Sequence, residues 1–120
     1  MDYTMNPTTG IFIADKTGIL TLEGIMAHYV ELQVNTSLPN TLKVLIDCRK
    51  ARFDVDINKL ASLESHVRES VKRFQYLREA ILVDKPYETV VATLFLKIHA
   101  SLPNYSFRVF STQEAAQLWL

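Results

Sequence analysis

Apolar positions recur along this chain with two periods, about two and about 3.6 residues, and the switches between them divide it into elements. Short extended pieces come first. Residues 3–5 and 11–14 are separated by Pro7-Thr8-Thr9-Gly10, and Asp15-Lys16-Thr17-Gly18 closes the second piece, which predicts a hairpin. Ile11 and Ile13 fall on one side of that piece and Phe12 and Ala14 on the other, so both of its faces are covered. The more polar first piece is the sheet edge. Thr21 then offers an N-cap, and Leu22, Ile25, Met26, Tyr29 and Leu32 recur at helical spacing, with Glu23, His28 and Gln33 towards other faces.

The polar run Asn35-Thr36-Ser37 and Pro39-Asn40 end this helix and lead into the most apolar strand, residues 42–48 within the stretch Lys43-Val44-Leu45-Ile46-Asp47-Cys48-Arg49. A strand apolar on both faces belongs in the middle of a layered sheet. Residues 49–55 read as a loop held by Phe53. Asp56 caps a second helix with Ile57, Leu60, Ala61, Val67, Val71 and Phe74 on one stripe and Lys59, Ser62, Arg68, Glu69 and Lys72 mostly opposite. Residues 79–83 give another buried strand, stopped by Asp84-Lys85-Pro86, with the proline where a helix can begin.

The third helix, residues 87–101, turns Val90, Val91, Leu94, Phe95 and Ile98 inward, yet Ala92 and Leu96 add apolar atoms outside that stripe. Its charge is confined to Glu88, Lys97 and His99, so its apolar face is wider than one sheet contact requires. After Leu102-Pro103-Asn104 comes a last strand, residues 106–110. Ser111-Thr112-Gln113-Glu114 then reads as a capping box opening a final helix with Ala115, Leu118, Trp119 and Leu120. The order predicts an α/β fold: a mixed, mostly parallel sheet of four to five strands with an N-terminal hairpin and about four helices.

Composition narrows the function classes. The 120 residues make one domain, residues 1–120, with one core and one functional surface as the expectation. Lys plus Arg and Asp plus Glu balance at 13 each, so no net field concentrates nucleic acid or anionic membrane. No nucleic-acid partner is expected, and at most peripheral membrane contact. The N-terminus, Met1-Asp2-Tyr3-Thr4-Met5, is acidic and polar where a signal peptide is basic and then apolar, and the single Cys48 has no disulfide partner. Both features fit a cytoplasmic protein.

Candidate chemistry is sparse. Asp47 stands at the carboxyl end of the central strand, where open α/β sheets place ligands, and Arg49, Asp54 and Asp56 follow it in the loop. Asp47 paired with Arg49 or backbone amides, and Asp56 as a helix cap, account for these residues without catalysis. Cys48 reads as a small buried hydrophobe. His28, His66 and His99 fall in three helices with no ligand spacing, so neither metal nor cofactor is expected and the rings belong to half-buried or surface positions. The run Arg49-Lys50-Ala51-Arg52 reads as solvated loop. The wide apolar face of the third helix is the remaining candidate: Tyr87, Val91, Leu94, Phe95, Leu96 and Ile98 fill core, meet a second copy in a homodimer, or wall an apolar pocket with Tyr29.

The element order and local motifs resemble the STAS domain, in particular its SpoIIAA-like (STAS/SEC14-type) branch of small bacterial proteins. The matching pieces are Gly18-Ile19-Leu20-Thr21, then Val44-Leu45-Ile46-Asp47 with Arg49, then residues 80–84. The closing motif is Arg108-Val109-Phe110-Ser111 through Glu114-Ala115-Ala116 to Trp119-Leu120. The resemblance implies a noncatalytic module that binds a small apolar or lipid-like ligand, or a regulatory module that docks on a protein partner. Sporulation-type relatives carry a phosphorylated serine in an Asp-Ser-Ser-Gly turn. Here the comparable stretch, Phe53-Asp54-Val55-Asp56-Ile57, has no hydroxyl to accept a phosphate.

Overall fold

The computed structural model describes residues 3–120; Met1 and Asp2, which enter the reading of the N-terminus, lie outside the described residues. Strand β1 (Thr4–Met5) pairs antiparallel with β2 (Phe12–Thr21), and β2 leads through α1 (Leu22–Val34) to β3 (Thr41–Asp54). A 3-10 segment (Ile57–Leu63) and α2 (Glu64–Val71) connect β3 to β4 (Tyr76–Leu82). Helix α3 (Pro86–His99) leads to β5 (Tyr105–Phe110), and α4 (Gln113–Trp119) closes the chain. The five strands lie in sequence order, with β2 to β5 all parallel, so the mixed α/β sheet with its N-terminal hairpin is as the sequence pattern predicts.

Each parallel crossover steps to the next strand in the same direction. Right-handed connections of that kind put every crossover helix on the same face. The larger core lies there: Leu42, Val44, Ile46 and Cys48 of β3 meet Tyr29 and Leu32 of α1, Val67 and Val71 of α2, and Val91 and Phe95 of α3. Helix α4 covers the opposite face, where Leu45, Ala80, Leu82, Ala116 and Leu120 form a smaller cluster.

The two longest strands correct the sequence reading. Asp15-Lys16-Thr17-Gly18 is not a turn but the middle of β2, and residues 49–55 are not a loop but largely the second half of β3. These halves pair with each other, Thr17 with Lys50 through Thr21 with Asp54. Asp15 pairs with Asp47 and Thr17 with Lys50, so β3 carries one extra residue, a bulge that switches side-chain parity. Ala51 and Phe53 therefore enter the same core as Ile46 and Cys48. Gly18, opposite Ala51, adopts φ 76°, a backbone conformation that costs glycine little. The signal was present in the chain: Ala51, Phe53 and Val55 alternate with exposed Lys50, Arg52 and Asp54, the pattern of a half-buried strand.

Elsewhere the helices shift. The second helix divides, with Asp56 capping the 3-10 segment by accepting from the Asn58 N–H; Ile57 and Ala61 are exposed and Leu63 is buried in their place. In α3, Ala92 is buried and Val90 is exposed, the reverse of the predicted stripe. Leu94, Leu96 and Ile98 are partly buried against the core. The apolar excess of this helix is thus largely spent on packing. At α4 the cap is Thr112, whose hydroxyl accepts from Ala115 N–H, in place of a box opened by Ser111; Ala116 faces inward and Leu118 outward.

Candidate functional site

The sheet places a charged residue where its apolar neighbours predict none. Glu79, on β4, points into the larger core and is fully buried. A buried carboxylate persists only if hydrogen bonds and opposite charge replace its lost water. Its partners come from α1 and β5. Tyr29 donates to Oε1 at 2.8 Å, Tyr105 donates to the same oxygen, and His28 Nε2 lies 2.7 Å from Oε2. The two tyrosine oxygens are 2.8 Å apart, and the Tyr3 hydroxyl lies 3.4 Å from His28 Nδ1.

Burial alone raises the Glu79 carboxyl, but attraction to His28 and hydrogen bonds from His28, Tyr105 and Tyr29 outweigh it and hold the group below its ordinary range. It is therefore a carboxylate, and Nε2 of His28 donates to it. Burial first, and the Glu79 charge second, push the hydroxyls of Tyr29 and Tyr105 well above the usual phenol range. This arrangement corrects the reading of His28, expected towards another face and found buried. The spacing Ile25, His28, Tyr29, Leu32 already puts it on the inward stripe, and a lone acid among Leu77, Ala80 and Ile81 calls for a buried partner.

Beside this network lies a cavity of about 50 Å³ between α1 and α3. Ile25, Ile81, Val91, Ala92 and Phe95 line it, with His28, Tyr29 and Lys16 also in its wall. His28 Nε2 and the Tyr29 hydroxyl both engage Glu79, which leaves the wall apolar apart from Lys16. Burial lowers the Lys16 ammonium below its ordinary range. Of the residues expected on the third helix, Val91 and Phe95 reach the cavity; Leu94, Leu96, Ile98 and Tyr87 are not part of its wall. Tyr87 is half exposed and donates its hydroxyl to the Val55 carbonyl. Nearby, the buried Glu88 carboxylate accepts from Phe53 N–H at 2.9 Å, tying α3 to the extension of β3.

The acidic and basic residues after the central strand do not converge. Asp47 accepts from Arg49 through Nε at 3.0 Å, NH2 at 2.7 Å and the backbone N–H at 3.1 Å. Hydrogen bonding from Arg49 holds the Asp47 carboxyl below its usual range, which removes the raised acid that a general acid–base role requires. Asp54 is exposed at the end of β3, and Asp56 is engaged as a cap. Cys48 is buried, and burial pushes its thiol up to about 12. His99 is buried as well, its ring held below the ordinary histidine range by burial, and His66 is exposed. Among the described residues no group of three or more His, Cys, Asp or Glu is arranged to hold a metal ion, and no helix is long and apolar enough to cross a membrane.

One comparison bears on this architecture. The chain superposes on the crystal structure of an uncharacterized protein of the DUF3478 family with a SpoIIAA-like fold from Shewanella loihica PV-4. The TM-score is 0.56 at 18% identity, over 99% of this chain and 90% of that one. The fold is SpoIIAA-like. No family model and no curated protein matches the chain. Residues 53–57, at the end of β3 and the start of the 3-10 segment, carry no side-chain hydroxyl.

Proposed function

We propose that this chain is a noncatalytic binding module whose apolar cavity between α1 and α3 receives a small apolar ligand or the tail of an amphiphile. The observation that carries the reading is the cavity wall, in which carbon atoms of Ile25, Ile81, Val91, Ala92 and Phe95 meet and the nearby polar tips turn to Glu79. Apolar cavities of this kind stay dry and accept apolar guests. At about 50 Å³ the resting space holds only a small group, so a longer chain requires α1 and α3 to part.

Native mass spectrometry of gently purified protein should find a co-purified amphiphile, or an apolar dye should bind saturably. Ala92→Leu fills the cavity and should weaken either by roughly tenfold or more, about 1.4 kcal/mol. Absence of both signals from the wild-type protein, or binding unchanged in a folded Ala92→Leu protein, overturns the reading.

A regulatory module that docks on a protein partner is the alternative. It draws on the exposed surface of the β3 extension, where Lys50, Arg52 and Asp54 stand beside Ile19, which is 69% exposed. Pull-down with Asp54→Lys against wild type tests it, and identical bound proteins count against that surface.

A further inference from the structure

The free edge of the sheet at β5 carries a second feature, which shares only Phe107 with the cavity wall. Among the described residues, strand β5 pairs only with β4. The Leu77 N–H donates to Asn104 O and the Val83 N–H to Phe110 O. Backbone groups alternate in direction along a strand, so Ser106, Arg108 and Phe110 face β4 while Phe107 and Val109 turn theirs to the open edge. A groove of about 260 Å³ follows this edge, and the consecutive residues Tyr105, Ser106, Phe107 and Arg108 all line it. A floor made of successive residues is the rim of a strand and not one of its faces. Leu96 and His99 of α3 wall one side, and Arg78 and Trp119 the other.

The charge of this groove is one-sided. The Arg78 guanidinium lies 4.5 Å from the Trp119 ring centre, and that of Arg108 lies 5.8 Å from it. Neither arginine is in an ion pair among the described residues, and Arg78 Nε is buried without a hydrogen-bond partner. Unpaired edges are managed liabilities in folded proteins or templates for an added strand. A second copy is the poorer occupant, because a twofold β5 pair sets Arg108 near its own counterpart.

We infer that the β5 edge accepts an extended acidic peptide segment of another protein as a sixth strand, its backbone bonded to Phe107 and Val109 and its carboxylates to Arg78 and Arg108.

The probes are short, capped peptides alternating valine with glutamate or with lysine, and the reporter is the fluorescence of Trp119, the single tryptophan. The glutamate peptide should give a saturable change and the lysine peptide none. N-methylation of alternate peptide amides, or Arg108→Glu in the exposed guanidinium, should each weaken binding by tenfold or more, as loss of directional backbone bonds and of charge-assisted contacts requires. The N-methylated arm leaves the protein untouched, so misfolding of a variant does not blur the result. No saturable response, or equal binding of the N-methylated peptide, overturns the inference. So does a dimer in sedimentation that Val109→Pro makes monomeric, which would assign the edge to a second copy. The dye reads the cavity and the peptide reads the edge, each tested without the other, so failure of one proposal leaves the other standing.

Discussion

Two carboxylates, Asp47 and Glu79, stand on adjacent parallel strands and have opposite fates. Asp47 points to the sparsely covered face and shares a bidentate contact with its near neighbour Arg49, partly in water. Glu79 points to the face that three crossover helices cover, and its partners come from 26 to 51 residues away in the chain. A local ion pair in water contributes little because solvent screens it and its side chains lose freedom. A buried carboxylate with several donors is costly to disturb because nothing replaces them. The position on the sheet, not the residue type, therefore decides which acid organises the molecule.

The contrast is most sharply broken by Glu79→Ala, which leaves His28, Tyr29 and Tyr105 without their shared acceptor. Urea denaturation should show a loss of about 3–5 kcal/mol, whereas Asp47→Asn should leave the midpoint within experimental scatter.

Acid titration of stability sharpens it further. The folded-state Glu79 pKa lies below its ordinary value of 4.5, so the folded protein holds fewer protons than the unfolded chain as pH falls. Its contribution is complete above that value and is lost as pH drops through the lower folded value. Glu79→Gln should flatten this acid limb, and the flattening should survive added salt. Asp47 is also lowered and shifts stability in the same direction, but its smaller share should fade with salt because the pair is open to solvent. An Asp47→Asn limb as flat as that of Glu79→Gln would abolish the distinction.

The smallest effect concerns Cys48, the residue that follows Asp47 but faces the covered core. With its thiol raised to about 12, it should react with a disulfide reagent at pH 8 only as fast as the protein unfolds. Fast labelling of folded protein would place Cys48 on the open side with Asp47.

Much of this architecture is local and therefore readable along the chain. The periods of apolar residues gave the order of strands and crossover helices; Thr21 as a cap, Pro86 at the start of α3 and the buried run Val44, Leu45, Ile46 stand where the pattern put them. The acid and base of the Asp47–Arg49 pair lie two residues apart, so their contact was readable too. The second half of β3 carries the alternation of Ala51, Phe53 and Val55 with charged residues, whereas the second half of β2 has no such period of its own. Lys16, Thr17 and Gly18 become strand only by pairing with residues more than thirty positions later. Ala92 falls outside the inward stripe read for the third helix because a small residue marks no face by itself, and only packing shows it buried.

Readable along the chain, then, are the α/β class, the hairpin start and the buried central strand. It takes the tertiary structure to bring His28, Tyr29, Glu79 and Tyr105 into one network, to leave an apolar cavity between α1 and α3, and to set Arg78, Arg108 and Trp119 along an open strand edge. The reason is physical. Periodicity records which side of an element is apolar, but a buried charge, a void and an open edge depend on which elements become neighbours, and sheet order sets that across the whole chain.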